Sequence, residues 1–150
     1  MEGIVAFGEA TPPAGVPLSG SASFGGIIRG SADVVADAGG YGKIDRAPLG
    51  GTVSFQFDFN RSSLTGQIRP VLACDCTSIS FPTLDFQAMI GAGSPTFSGK
   101  FNTDVSGPNT LSGLFTGPHA EELMGSWTFP FLTDQIAHSA TGVWIAKRGN

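Results

Sequence analysis

Two histidines, a pair of glutamates and two cysteines carry most of the chemical potential of this 150-residue chain. His119 stands in the segment GLFTGPHAEELMGSW (113–127), two residues before Glu121 and three before Glu122. His138 follows Asp134 by four residues. An imidazole can ligate a metal or a haem iron, or move a proton near neutral pH. That makes His119 and His138 the candidate ligand-binding residues, although both positions also suit a polar side chain facing solvent. Glu121 and Glu122 do not form an acid–base pair on their own, because adjacent residues of a helix do not face each other. Cys74 and Cys76, in ACDCTS, are two residues apart, too close for an unstrained disulfide. A structural zinc needs about four ligands, and no other Cys or His is near them in sequence. They read as two free thiols in a loop. No nucleophile elbow, phosphate loop, H-E-x-x-H or calcium-loop pattern occurs, so the chain reads as a non-enzyme with no metal site. The sequon Asn60-Arg61-Ser62 simply marks a turn.

Composition narrows the partners. Twelve acidic residues against eight basic ones give a formal charge of -4, which disfavours nucleic acid and anionic lipid, since both attract basic patches. No run of 18 apolar residues is present, so no transmembrane helix is expected. The opening MEGIVAFG has Glu2 where a secretory signal has Lys or Arg, and no signal peptide is read there. Glycine (22 residues) and Phe (12 residues) are abundant while charged residues make up only 13%, which points to strands and tight turns.

The elements that must position these side chains follow from alternation. In TVSFQFDF, Val53, Phe55, Phe57 and Phe59 share one face while Ser54, Gln56 and Asp58 share the other. The turn NRSS (60–63) and the phased LTGQI (64–68) complete a hairpin. Further strands are read in GSASFGGIIRG (20–30), LDFQAMI (84–90), TFSGKF (96–101), LSGLF (111–115), SWTFPF (126–131) and SATGVWIAK (139–147). DVVAD (33–37) is a possible short strand inside a long loop. Eight strands suffice to close a small barrel, and closure removes exposed edges. Glycines in phase with Phe, at 26, 66, 99, 113 and 142, suit its bends. Phe lies along strand middles instead of in interfacial girdles, which favours a soluble barrel with a filled interior over a membrane-spanning one. Pro118 at a first helical position, acidic residues after it and Gly125 beyond it predict a short helix over 119–124. The expected fold is all-β: an eight-stranded antiparallel up-and-down β-barrel with one short helix between the sixth and seventh strands. Residues 1–15 read as an extended lead-in and 16–150 as the barrel.

The same segment resembles the Gly-x-Phe-Tyr-Gly-Pro-x-Ala-x-Glu-x-Gly-Gly motif of the transferrin-binding protein B family. Gly113, Phe115, Gly117, Pro118, Ala120, Glu122 and Gly125 match it. Thr116 stands in place of the usual aromatic, and Met124 where the family often has Gly. VPLSGSASFGG (16–26), GTVSFQFDFNRSSLTGQI (51–68) and TGVWIAKR (141–148) are similar to that family's opening strand, first hairpin and closing strand. The resemblance implies a structural role for the motif, with Glu122 anchoring the helix at the barrel end. It also implies a non-enzymatic binding domain from a Gram-negative surface or secreted lipoprotein, without a dedicated cofactor. Its ligand would be a protein or a small solute, haem among them, and an outer-membrane export or receptor partner is compatible with it. Such lipoproteins carry a signal peptide and a lipid-attached Cys that this sequence does not show. The small size and missing handle domain argue against transferrin itself, and a monomer is expected. The alternative is a structural or export-recognition module with no small-molecule ligand.

Overall fold

The computed structural model describes residues 4–37, 43–73 and 79–150. Cys74 and Cys76 lie outside the described residues. Eight strands close into one barrel: β1 (Ser21–Ala32), β4 (Ala47–Asp58), β5 (Ser63–Leu72), β6 (Leu84–Ile90), β7 (Thr96–Phe101), β8 (Thr110–Thr116), β9 (Glu122–Thr133) and β10 (Ile136–Arg148). Each pairs antiparallel with its chain neighbours, and β1 also pairs with β10, from Phe24 opposite Arg148 to Ala32 opposite Ala140. A two-residue ladder, β2 (Ala36–Asp37) with β3 (Lys43–Ile44), sits within the connection from β1 to β4. The short strand expected over 33–37 is thus confined to its last two residues.

Alternation decides which side chains fill the barrel. Phe55, Phe57, Phe86, Phe97, Phe115, Phe129, Trp127 and Trp144 all point inward and are buried. Ser54, Gln56, Gln67, Asp85, Gln87, Ser112 and Ser126 point outward. The outer face mixes these polar residues with the exposed Ile27, Val71, Met89 and Ile145, while the interior is aromatic. The rings meet edge-on or offset: Phe55 lies 5.1 Å from Trp144 and 5.3 Å from Phe86, and Phe57 lies 4.9 Å from Phe115.

So many rings fit because glycines stand opposite them. Gly113 faces Phe97 across β7 and β8, and Gly125 faces Trp144 across β9 and β10. A Cβ on Gly113 would stand within 2.5 Å of three atoms of the Phe97 ring. On Gly125 it would strike the Trp144 indole nitrogen. Each ring folds down over the bare backbone of its partner, an arrangement known to offset a glycine's weakness in a strand. Trp127 Nε1–H donates to the Val143 carbonyl at 3.1 Å, whereas Trp144 Nε1 has no acceptor among the described residues. Prolines fall where a neighbour has run out. Pro70 and Pro130 pair on one side only, with Gly51 and Ser139, beyond the last pairs of β6 and β8 on the other. Their missing N–H therefore breaks no ladder bond.

The helix expected over 119–124 is absent. Residues 117–120 form a turn, and β9 is already paired from Glu122, opposite Thr116. Two residues explain the difference. Gly117 has φ 83° and Ala120 has φ 57°, left-handed values that no α-helix accommodates. Leu123 is buried opposite Phe115, so it serves the alternation of a strand. Gly125 is the bare-backbone seat of Trp144, not a helix terminator.

The lead-in is tied to this turn. Ala10 bridges to Thr116, the Thr11 amide donates to the Phe115 carbonyl at 2.8 Å, and Thr11 Oγ1 donates to the Gly117 carbonyl at 2.7 Å. A short 3-10 turn (Pro13–Gly15) follows, and Val16 is buried behind it.

Candidate ligand-binding end of the barrel

The two ends of the barrel differ. At one end the connections are short: 59–62, 91–95 and 117–121, with the lead-in packed beside them. Phe59, Ile90 and Phe115 are buried near this end. At the other end three connections are longer, 33–46, 73–83 and 102–109, joined by the tight turn 134–135. Long connections on a rigid frame are where binding residues concentrate.

Ten of the twelve Phe are buried, and the two exceptions mark places where apolar surface reaches solvent. Phe7, 92% exposed, belongs to the lead-in. Phe81 belongs to the long-loop end and is only partly buried. It stands edge-on to Phe131 at 5.0 Å, and Phe131 stacks on His138 at 5.6 Å. Val35, Leu132 and Ile136 at the same end are 50–62% exposed.

His138 occupies this end as a clasp. Its Nδ1 lies 2.9 Å from the carbonyl oxygen of Asp33, and since a carbonyl only accepts, Nδ1 carries the proton. The Asp33 amide in turn donates to the Ser139 carbonyl at 2.8 Å. Together these bonds fix the root of the longest connection to β10.

His119 lies at the opposite end, exposed in the 117–120 turn. The two histidines therefore cannot share one iron or metal ion. The barrel interior, where a haem would have to sit to be enclosed, is occupied by the rings described above. Among the described residues no cluster of three or more His, Cys, Asp or Glu is placed to hold a metal ion.

The family-motif residues assemble into the closed end. Gly117, Pro118 and Ala120 shape the turn, Ala120 is buried, and Phe115 lies beneath it at full burial. The carboxylate that anchors this turn is Glu121 and not Glu122. Glu121 Oε2 accepts from the His119 amide at 2.9 Å, while Glu122 faces out from β9 and pairs with Lys147 at 3.3 Å. The cause is parity: once β9 starts at Glu122, only Glu121 remains inside the turn. The backbone N–H of His119, then its own N–H, hold the Glu121 carboxyl below the usual range. A lowered value means that its contribution is present above the ordinary carboxylate range and lost as pH falls through the lowered value. Amide exchange at His119, corrected for intrinsic rate, should therefore quicken in acid and become pH-independent in the E121Q variant.

Residues 16–148 match the family described as C-lobe and N-lobe beta barrels of Tf-binding protein B. The chain belongs to that family. No curated protein sequence matches it significantly. Among solved structures, it is similar to a transferrin-binding protein B variant from Haemophilus parasuis, with a TM-score of 0.61 and 20% identity over 94% of this chain and 29% of that one. Transferrin-binding protein B of serogroup B Neisseria meningitidis gives 0.56 and 24% over 94% and 27%. The N-lobe domain of lactoferrin-binding protein B from Moraxella bovis gives 0.51 and 18% over 87% and 60%. The chain thus spans less than a third of the transferrin-binding proteins it resembles. The barrel of this family is the fold described above.

Sequence reasoning missed Phe81, Val35, Leu132 and Ile136. The one signal available was that Phe81 sits outside any alternating run, in a stretch with no strand pattern to bury it.

Proposed function

We propose that this barrel is the ligand-binding lobe of a bacterial surface lipoprotein and that it captures a protein through its long-loop end. The observation that carries this reading is the contrast in connection length between the ends: short turns close one, while long connections stand at the other beside Phe81, Val35, Leu132 and Ile136. A filled interior supports a protein ligand over an enclosed solute, since small barrels that hold a ligand keep an open lumen. The related structures named for transferrin and lactoferrin binding, and one named a surface lipoprotein, support binding at a cell surface. The related structures are named for binding and for a surface lipoprotein, not for catalysis.

The test measures binding of the immobilised chain to transferrin, to lactoferrin and to proteins retained from serum, beside a haem titration followed by absorbance. Phe81→Ser should weaken capture of the bound protein at least about tenfold with little change in melting temperature, because central aromatic residues dominate interfaces. Capture insensitive to Phe81→Ser would overturn the loop-end reading. A Soret shift abolished by His138→Ala or His119→Ala would replace the protein ligand with haem. No retained protein and no shift would favour a structural or export-recognition module.

A further inference from the structure

One row of side chains on the outer wall of the barrel is apolar. Ile27 on β1 stands opposite Ile145 on β10, Ile145 opposite Met124 on β9, and Met124 opposite Leu114 on β8. Directly opposed residues project from the same face of a sheet, so the four form a continuous cross-strand row. The lead-in already covers part of it. It passes so close that a Cβ on Gly8 would stand 2.8 Å from Met124 Cε, and Met124 is buried. Ile27 and Ile145 are left 43% and 52% exposed. Between them and the lead-in runs an open groove of about 470 Å³, lined by Phe7, Gly25, Ile27, Met124 and Ile145. On the other side of the lead-in, Ile4 and Val5 border a second groove with Leu114 and, again, Met124.

Phe7 is the most exposed of these residues, so its ring rises from the wall of the first groove instead of lying in it. Ile4 and Val5 are 51% and 77% exposed. Taking about 200 Å² for a ring and about 90 Å² for an aliphatic side chain, these three with Ile27 and Ile145 expose roughly 400 Å² of apolar surface. A contiguous patch of that size marks an interaction site. The face is also self-complementary, because a projecting ring stands next to an apolar groove. A two-fold axis beside the groove would lay Phe7 of each copy on Ile27 and Ile145 of the other, the reciprocal contact of an isologous interface. Two copies would bury about 800 Å² of apolar surface, or about 1,300 Å² in all once the usual polar share is added. Stable interfaces begin at about 1,200 Å². The rim carries both signs of charge, with Glu9, Glu122 and Lys147. A second copy brings both signs to meet them, whereas a face of one sign would be repelled at part of the rim.

We propose that this outer wall is a self-association surface: two copies of the chain dimerise through β1, β10 and the lead-in, with Phe7 as the knob. The occupant of the groove is a second copy of this chain. The inference goes beyond protein capture at the long-loop end and does not rest on it, since the row lies on the wall and the lead-in packs at the closed end. It replaces the monomer expected from the sequence.

The test is sedimentation equilibrium of the whole chain over about 1–300 µM, a range that brackets the micromolar affinity suited to an interface at the small end of the stable class. The parent should pass from the mass of one chain to that of two, with a Kd of about 10 µM. Phe7→Ser should raise that Kd at least about tenfold, because central aromatic contacts dominate an interface. Ile145→Thr, which keeps a β-branched strand former, should weaken it further. Both side chains are exposed, so melting below the Kd should be unchanged and confirm folding. Phe81→Ser should leave the Kd unchanged, so dimerisation and capture at the long-loop end fail separately. A photo-crosslinking phenylalanine analogue at position 7 should join one chain to β1 or β10 of a second. A chain that keeps the mass of one copy throughout would overturn the inference, and the apolar row would then serve a different occupant. So would a dimer indifferent to both Phe7→Ser and Ile145→Thr, or one whose crosslinks fall outside β1 and β10.

Discussion

Gly113→Val destabilises the barrel by about 3 kcal/mol in urea unfolding, toward the upper end of what overpacking a core costs. Valine is otherwise the better strand former, so propensity alone predicts a gain of up to about 1 kcal/mol, and the sign of the result separates the two effects. The loss comes from Phe97. A Cβ at position 113 stands within 2.5 Å of three atoms of that ring, and the ring has nowhere to retreat. Its other sides are held by Phe55 at 6.0 Å, Phe57 at 5.5 Å and Phe115 at 5.9 Å. The neighbouring Ser112→Val, on the outer face of the same strand, tests the strand itself. Ser112 is exposed and shares only a hydroxyl contact of 3.1 Å with Ser126, so this change should stay within about 0.5 kcal/mol. Adding Phe97→Leu to Gly113→Val should recover part of the loss, because residues in contact do not contribute additively. A Gly113→Val variant as stable as the parent would show that the ring is not seated on Gly113.

What the sequence revealed, and what it concealed, follows from the range of the forces involved. The period-two alternation of Val53, Phe55, Phe57 and Phe59 is a local signal, and each of the eight barrel strands was legible from runs like it. The glycines in phase with Phe were legible as a pattern but not as a mechanism, since the ring that covers Gly113 belongs to another strand. The helix over 119–124 failed for a related reason. Pro118, the glutamates and Gly125 fit a capped helix by local preference alone. The pairing of Leu123 with Phe115 and Met124 with Leu114 is tertiary, and it draws these residues into β9. The family resemblance correctly located the segment and then misassigned its anchor, because which of two adjacent glutamates faces the turn depends on where the strand begins. The long-loop end was least legible. Its side chains come partly from connections, Val35 and Phe81, and partly from the strand ends beside the 134–135 turn, Leu132 and Ile136, and the connections have no periodicity to read.

Phe55→Ala is expected to cost about 3–5 kcal/mol, a large part of the roughly 5–15 kcal/mol that stabilises a domain. Phe55 is 1% exposed and central to the ring cluster, with Phe86 at 5.3 Å, Trp144 at 5.1 Å, Phe97 at 6.0 Å and Phe57 at 6.1 Å. Truncation removes the contacts of a whole ring, and closed strands on every side limit how far the wall can collapse into the space. The void left would be lined by aromatic carbon, and apolar cavities of that kind stay dry and accept small apolar molecules. Benzene should therefore raise the melting temperature of Phe55→Ala while leaving the parent unchanged. That contrast bears directly on function. A parent stabilised by benzene would have an interior chamber ready for a solute, and recognition could take place inside the barrel. A response confined to the variant means that the chamber exists only when a ring is removed. A filled interior then leaves the outer surface of the barrel, Phe81 at the long-loop end included, to carry recognition.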